Sequence, residues 1–395
     1  MANWTTFEEF LAAALAAPEA ERSEMVNDLL VERTDWPWID GPNATFALRR
    51  AGMHSVALNL DTIQSDPPFA PMENLPGTDF WYITRAFESD DLLDYMLALD
   101  DPGTPLAQET DLAGRVALHW GTDSLNPRRM ETAQMNVSVL RMPNARPFPD
   151  WTSFQAVPRG HVYEHALGSQ EIGFVDRRVW VYTPPGYETS ADPYPLLILL
   201  DGQWAVGPLQ VPALADALVK HGRMQPALIA MVQSGAQDER MREYTASERT
   251  SSFLLAELLP FLQTNYAVDA ARVGIGGVDL GGVAAAHAAL RSPAVFSRLI
   301  MVSPPLGRGA GQDALRELVA RLESSPDLPG RIFQSVGRYE ARGRFLKPAL
   351  ALRERLSRRR DLDYRFVEIG SGHGLVGFRS VLPEALAHAF PGSSE

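Results

Sequence analysis

Residues 272–289 read RVGIGGVDLGGVAAAHAA. A short apolar run passes through Gly276-Gly277-Val278-Asp279-Leu280-Gly281-Gly282 into a stretch of small residues with helical character. On a strand-to-helix turn this tight, side chains beside the turn residue would collide with the neighbouring strand and helix. Glycines at 277 and 281 therefore leave one side chain, that of Asp279, presented between them. The pattern Gly-x-Asp-x-Gly is that of a nucleophile elbow with aspartate at the reacting position. Glycine-rich turns of this placement also cradle phosphates, but the GxGxxG and GxxxxGKS forms are absent.

Outward from the turn, strand and helix patterns alternate. Segments 178–182, 196–200, 227–232, 272–276, 299–303, 332–336 and 364–369 are the strand candidates. Helical periodicity at 209–220, 250–263, 282–290, 313–322, 344–356 and 382–390 predicts helices between most of them. Such alternation predicts an α/β fold with a mostly parallel sheet covered on both faces and ligands at the carboxyl ends of its strands. Glu340 follows the strand at 332–336, and His373, in Gly370-Ser371-Gly372-His373-Gly374, follows the strand at 364–369. Nucleophile, acid, histidine is the chain order of α/β-hydrolases, so residues 151–395 are expected to form an α/β-hydrolase domain with Asp279, Glu340 and His373 as its catalytic residues. A histidine among loop glycines is hard to explain as core packing; for Glu340 a surface salt bridge is the rival explanation.

Before residue 151 the rhythm differs. Phe7, Phe10, Leu11, Ala14 and Leu15, then Met25, Leu29 and Leu30, recur at helical spacing, with Pro18 between the two sets. After the turn-rich 37–43, segments 44–48, 54–60 and 79–83 alternate with period two. These patterns predict a helical segment over 1–40, a smaller β-sandwich over 41–150, and a linker at the proline-rich 142–151.

The 395 residues are 45% hydrophobic and 22% charged, ordinary for a globular protein, with a net charge of −13. That charge excludes a general nucleic-acid binder, whose phosphate contacts need clustered cations. Cysteine is absent, which excludes disulfides, thiolate metal sites and a cysteine nucleophile. The apolar start carries acidic residues where an export signal would be basic, and no run reaches the roughly 18 apolar residues of a membrane span. A cytoplasmic protein without membrane partners is expected.

Residues from about 40 to 390 resemble the enterochelin (ferric enterobactin) esterase family. The resemblance rests on Leu199-Leu200-Asp201-Gly202-Gln203-Trp204, Arg242-Glu243, Glu257-Leu258-Leu259-Pro260, the glycine elbow, 337–340, and Gly372-His373 followed by Phe378-Arg379. In the front half it rests on Gly77-Thr78-Asp79-Phe80-Trp81-Tyr82 and Thr122-Asp123-Ser124-Leu125-Asn126-Pro127. It implies that the front domain is the family's β-sandwich, which helps shape the pocket, and that the rear domain hydrolyses esters of a catecholate siderophore. It also implies an oxyanion hole from the amides of Leu280 and of Gly202 or Gln203. In that family serine stands at the position of Asp279, and a Ser-Gly-Ser run followed by tryptophan stands where this chain has Ser303-Pro304-Pro305-Leu306-Gly307.

Aspartate at the elbow leaves three readings. As a nucleophile it suits attack on an sp³ carbon, giving an ester that water activated by His373 hydrolyses while Glu340 holds the imidazole. As a base or ion-pair partner of His373 it suits non-hydrolytic proton transfer in a cyclase, lyase or rearrangement. As a relic it suits a catalytically silent binding protein.

Trp204, Arg242, Arg249 and Arg338 are candidate substrate-binding residues. Taken singly, Trp204 is as readily core as pocket wall, and each arginine reads as a solvated charge. Together with Arg240 and Arg308 the arginines suit a small anionic or siderophore-like molecule. His161 and His165, four apart, would suit zinc on a helix but lack the HExxH order, and His287 reads as helix packing, so neither metal nor cofactor is expected.

Overall fold

A computed structural model describes residues 4–131, 136–147, 156–190, 192–309 and 311–393; the end of the expected linker, 148–151, lies outside them. The chain divides into two units, one of Met1–Pro147 with Gly370–Gly377 and one of Phe148–Ile369 with Phe378–Glu395.

In the first unit, helices Phe7–Ala16 and Glu19–Glu32 flank Pro18, which lacks the N–H needed to carry one helix into the next. The first helix opens on a capping box: Thr6 Oγ1 accepts the Glu9 amide and Glu9 Oε2 accepts the Thr6 amide. Phe7, Phe10, Ala14, Val26 and Leu29 are buried with Trp36, Trp38, Phe80 and Tyr82, so the expected helical segment 1–40 shares its core with the first sheet. That antiparallel sheet runs Trp38–Asp40, Asn43–Arg49, Phe80–Ala86, Glu73–Asn74. A second antiparallel sheet runs Phe69–Pro71, Val56–Leu60, Leu92–Leu99, Asn136–Arg141, Arg129–Glu131, with Trp120–Gly121 beside Leu92–Leu99. Phe46 of one sheet meets Tyr95 of the other edge to face at 4.8 Å, the mark of two inner faces packed as a sandwich. The 122–127 motif is structural here: Tyr95 Oη donates to Asp123 Oδ2 at 2.7 Å, and Asn126 Nδ2 donates to Tyr95 Oη at 2.9 Å.

In the second unit we number the strands β1 (His161–Leu167), β2 (Arg177–Thr183), β3 (Tyr194–Leu200), β4 (Leu228–Val232), β5 (Val268–Val278), β6 (Phe296–Val302), β7 (Arg331–Gly337) and β8 (Asp363–Ile369). They form one sheet in the order β1-β2-β4-β3-β5-β6-β7-β8. The first two strands run antiparallel to their neighbours and the remaining pairs are parallel, an α/β-hydrolase-type arrangement. Six consecutive residues of β3, from Pro195 to Leu200, are buried, as a strand covered on both faces requires. Three helices bear on the site: α1 (Gly202–Val206), α2 (Gln237–Tyr244) and α3 (Leu280–Arg291). No helix among the described residues is long and apolar enough to cross a membrane.

β1 has no counterpart among the strands expected from the sequence. His161 and His165 lie on it, so the helical spacing that would have suited zinc does not apply; His165 Nε2 instead meets Tyr266 Oη at 2.6 Å. His287 packs inside α3, with its Nδ1 3.0 Å from Ser251 Oγ.

Candidate functional site

β5 ends at Val278, and α3 begins at Leu280. The residue between them, Asp279, has φ 50° and ψ −126°. A non-glycine residue in this region costs on the order of 1–3 kcal/mol and persists only where its surroundings hold it. They do so here: the Asp279 amide donates to Val302 O at 2.9 Å, and its carbonyl accepts the Gly282 amide at 3.0 Å. A Cβ on Gly277 would overlap the backbone of Gly281, and a Cβ on Gly281 would stand 2.8 Å from Asp201 Oδ2. Both glycines of the elbow pattern are thus demanded by close approach.

Asp201, at the end of β3, is the buried partner that the sequence did not reveal. Its side chain is fully shielded, and Arg240 of α2 binds it in a fork, Nε to Oδ1 and Nη2 to Oδ2, each at 2.7 Å. The same guanidinium turns its Nη1 to Asp279 Oδ2 at 3.1 Å. Its carbon lies 4.7 Å from the centroid of the Trp204 ring, which gives Trp204 a cation–π role beside the elbow. Burial pushes the Asp201 carboxyl above its usual range, and Arg240 pulls it back. For Arg240, burial opposes the charge, yet Asp201 and Asp279 prevail and raise its pKa. One cation therefore serves two carboxylates. Arg240, grouped by sequence with the arginines expected to suit an anion, is committed within the protein.

The proposed oxyanion donors fall at helix starts. Leu280 is the first residue of α3 and Gly202 the first of α1, on strands β5 and β3 that pair directly, Leu199 opposite Gly276. Gln203 is second in α1, and its side chain is engaged with the loop after β4: Nε2 donates to Ser234 Oγ at 2.7 Å, and the Ser234 amide donates to Oε1 at 3.1 Å.

Glu340 follows β7 and is 4% exposed, which removes the surface salt bridge as its explanation. Arg338, on the same turn, reaches Glu368 at 3.5 Å. Arg242 lies two residues beyond Arg240, a helical rotation of about 200°. With Arg249 it lines a groove of about 280 Å³ beside the Arg177–Glu243 ion pair, and Arg249 Nε donates to Glu171 O at 2.6 Å.

His373 lies in the segment Gly370–Gly377, which clusters with the sandwich unit even though chain order groups it with residues 151–395. The histidine is exposed, and its amide donates to Asp61 Oδ2 at 2.8 Å. The Gly370 carbonyl accepts the Leu92 amide at 2.7 Å. This anchoring depends on residues some 280 to 310 positions earlier, which no local pattern reveals.

Comparison with known proteins gives two family matches: a putative esterase model over residues 169–389 and an enterochelin esterase N-terminal model over residues 43–151. The iron(III) enterobactin esterase of Escherichia coli O6:H1 is 26% identical over 301 residues, 72% of each chain. That of Dickeya dadantii is 27% identical over 336 residues, 74% of each chain. Among solved structures, the ferric enterobactin esterase of Salmonella typhimurium superposes with a TM-score of 0.75 at 21% identity, covering 92% of this chain and 98% of its own. The enterobactin esterase of Shigella flexneri, crystallised in the presence of enterobactin, gives 0.73 at 22% identity, covering 90% and 95%.

Proposed function

The chain belongs to the enterochelin esterase family, and from that premise we propose that it is an enzyme acting on a small siderophore-like molecule with the Asp279 carboxylate as covalent nucleophile. The observation that carries this reading is the Arg240–Asp279 ion pair at the strand-to-helix elbow between β5 and α3. A cation at 3.1 Å keeps the carboxylate ionised and orients it.

An ionised carboxylate attacking an acyl carbon would form a high-energy anhydride. Attack on an sp³ carbon forms an ester: the Asp279 oxygen–carbon bond forms as the carbon–leaving-group bond breaks, and the leaving group departs with the electron pair. Water then gives up a proton and attacks the carbonyl carbon of that ester; the acyl carbon–oxygen bond breaks, the substrate carbon leaves as an alcohol that takes up a proton, and the carboxylate is restored. For this second step, His373 as general base and Glu340 as its orienting acid are roles taken from chain order in the family. The amides of Leu280 and Gly202, or Gln203 in place of Gly202, are the donors assigned to the tetrahedral oxyanion. The siderophore-like substrate is carried over from the relatives, one of which was crystallised with enterobactin.

The test is a single turnover in ¹⁸O-water with enterobactin and an aryl epoxide as probes, followed by mass spectrometry of the peptide containing Asp279. Label in Asp279 is the expected result. Labelled product with unlabelled Asp279 would overturn the covalent reading.

A further inference from the structure

Within the sandwich unit, the segment carrying His373 is held by carboxylates. Asp61, just after the strand Val56–Leu60, takes the His373 amide on Oδ2 at 2.8 Å. A Cβ on Gly372 would overlap the Asp61 carboxylate, and one on Gly374 would overlap that of Asp94, in the strand Leu92–Leu99. The two glycines flanking His373 are therefore the places where two acid side chains come against the loop backbone. Asp94 Oδ1 is sealed from solvent and has no hydrogen-bond partner among the described residues. At the loop's start, a Cβ on Gly370 would stand 2.8 Å from Asp91 Oδ1. Among the described residues, Asp61, Asp91 and Asp94 are carboxylates that face the loop from these elements.

We infer that Asp61 and Asp94 are positioning residues for His373, Asp61 fixing the loop through the backbone amide and Asp94 favouring the charged imidazole. The inference rests on reading His373 as the working histidine. It makes the sandwich unit a contributor to the histidine's orientation and charge. The electrostatics point the same way: burial and the neighbouring Asp61 push the Asp94 carboxyl up to about 6, while positive charge on His373 draws it down. Coupling between two sites is reciprocal, so the Asp94 anion must raise the affinity of His373 for its proton.

The experiment is a histidine titration by NMR on the full chain with ¹³Cε1-labelled histidine. Only 8 histidines are present, and the His373 signal is assigned by its loss in His373→Gln. In Asp94→Asn the His373 midpoint is expected to fall by about half a pH unit or more, the scale of one lost neighbouring charge. An unchanged midpoint overturns the inference. Asp61→Asn is expected to speed hydrogen exchange of the His373 amide and to lower the midpoint as well. Should Asp94→Asn fail to fold, an unchanged exchange rate and midpoint in Asp61→Asn overturn it equally. Neither readout uses a substrate. Absence of isotope in Asp279 would therefore sink the proposed reaction while leaving this inference standing, and an unmoved titration would do the reverse.

Discussion

Arg240 Nη1 lies 3.1 Å from Asp279 Oδ2, while the other nitrogens of the same guanidinium bind Asp201 at 2.7 Å each. The two acids differ in exposure: the Asp201 side chain is at 0% and that of Asp279 at 14%. Asp201 takes two of the guanidinium nitrogens and Asp279 takes the third.

The two acids should therefore cost unequal amounts to neutralise. Asp201→Asn leaves a buried guanidinium without its main counter-charge and is expected to destabilise the fold by about 3–5 kcal/mol. Asp279→Asn removes one charge-assisted hydrogen bond and should cost about 1–2 kcal/mol. Urea unfolding of both variants checks the order; equal losses would mean that Arg240 leans on Asp279 as much as on Asp201.

Gly281→Ala tests the close approach directly. The added methyl would stand 2.8 Å from Asp201 Oδ2, an atom that Arg240 does not let move freely. Overpacking of this kind costs about 1–3 kcal/mol. Thermal unfolding should show that loss, and turnover, once a substrate is known, should fall further because the turn presenting Asp279 is the part displaced.

Much of this was legible in the sequence, for physical reasons that also explain the gaps. β3, β4 and β6 are apolar runs because buried parallel strands have no polar face, and the elbow announces itself because only glycine fits beside it. β1 was missed because it is an edge strand whose residues, His161, Tyr163, Glu164 and His165 among them, are mostly polar. The helix Gln237–Tyr244 was missed because two of the three residues it buries, Arg240 and Glu243, are charged, so the apolar period that signals a helix is absent. Both charges pair inside the fold, Arg240 with Asp201 and Glu243 with Arg177, and such long-range pairing leaves no local trace. The anchoring of the His373 loop by Asp61 was hidden for the same reason.

Asp94 gives a pH dependence with a definite sign. Its carboxyl, at about 6 in the folded chain against 3.8 as the reference, binds its proton more tightly when folded. The folded state is favoured fully below pH 3.8, and this contribution is lost as pH rises through about 6. Above that the charged group costs at most about 3 kcal/mol, two pKa units and a little more at 1.36 kcal/mol each. Asp94→Asn should accordingly raise stability at pH 8 relative to the parent and change it little at pH 4. Denaturant unfolding at the two pH values reads this difference, and an equal effect at both would remove ionisation of Asp94 as its cause.

The leading helices should be indispensable to the sandwich unit. Phe10 is 0% exposed and packs on Phe80 at 6.2 Å between ring centroids, so the first helix closes one face of the first sheet. Phe10→Ala is expected to cost about 3–5 kcal/mol, as large-to-small changes in a well-packed core do. A loss below about 1 kcal/mol in chemical denaturation, the range of an exposed site, would mean that the helix is only loosely attached.

Asp279→Ser asks what the elbow does when its side chain is changed to the one the family carries. Arg240 keeps its fork to Asp201, so the local framework has no reason to collapse. The substitution also takes a negative charge away from the start of α3, whose first residue, Leu280, carries the amide proposed as an oxyanion donor. Hydrolysis of a simple aryl ester such as p-nitrophenyl acetate is expected to rise at least about 10²-fold over the parent, the lower end of what a positioned general base contributes. Adding His373→Ala to Asp279→Ser should abolish that gain, because serine depends on the histidine to take its proton. A folded Asp279→Ser protein with no gain would mean that the amide donors or His373 do not form a working site. The case for Asp279 as a nucleophile would fall with them, since deacylation draws on the same groups.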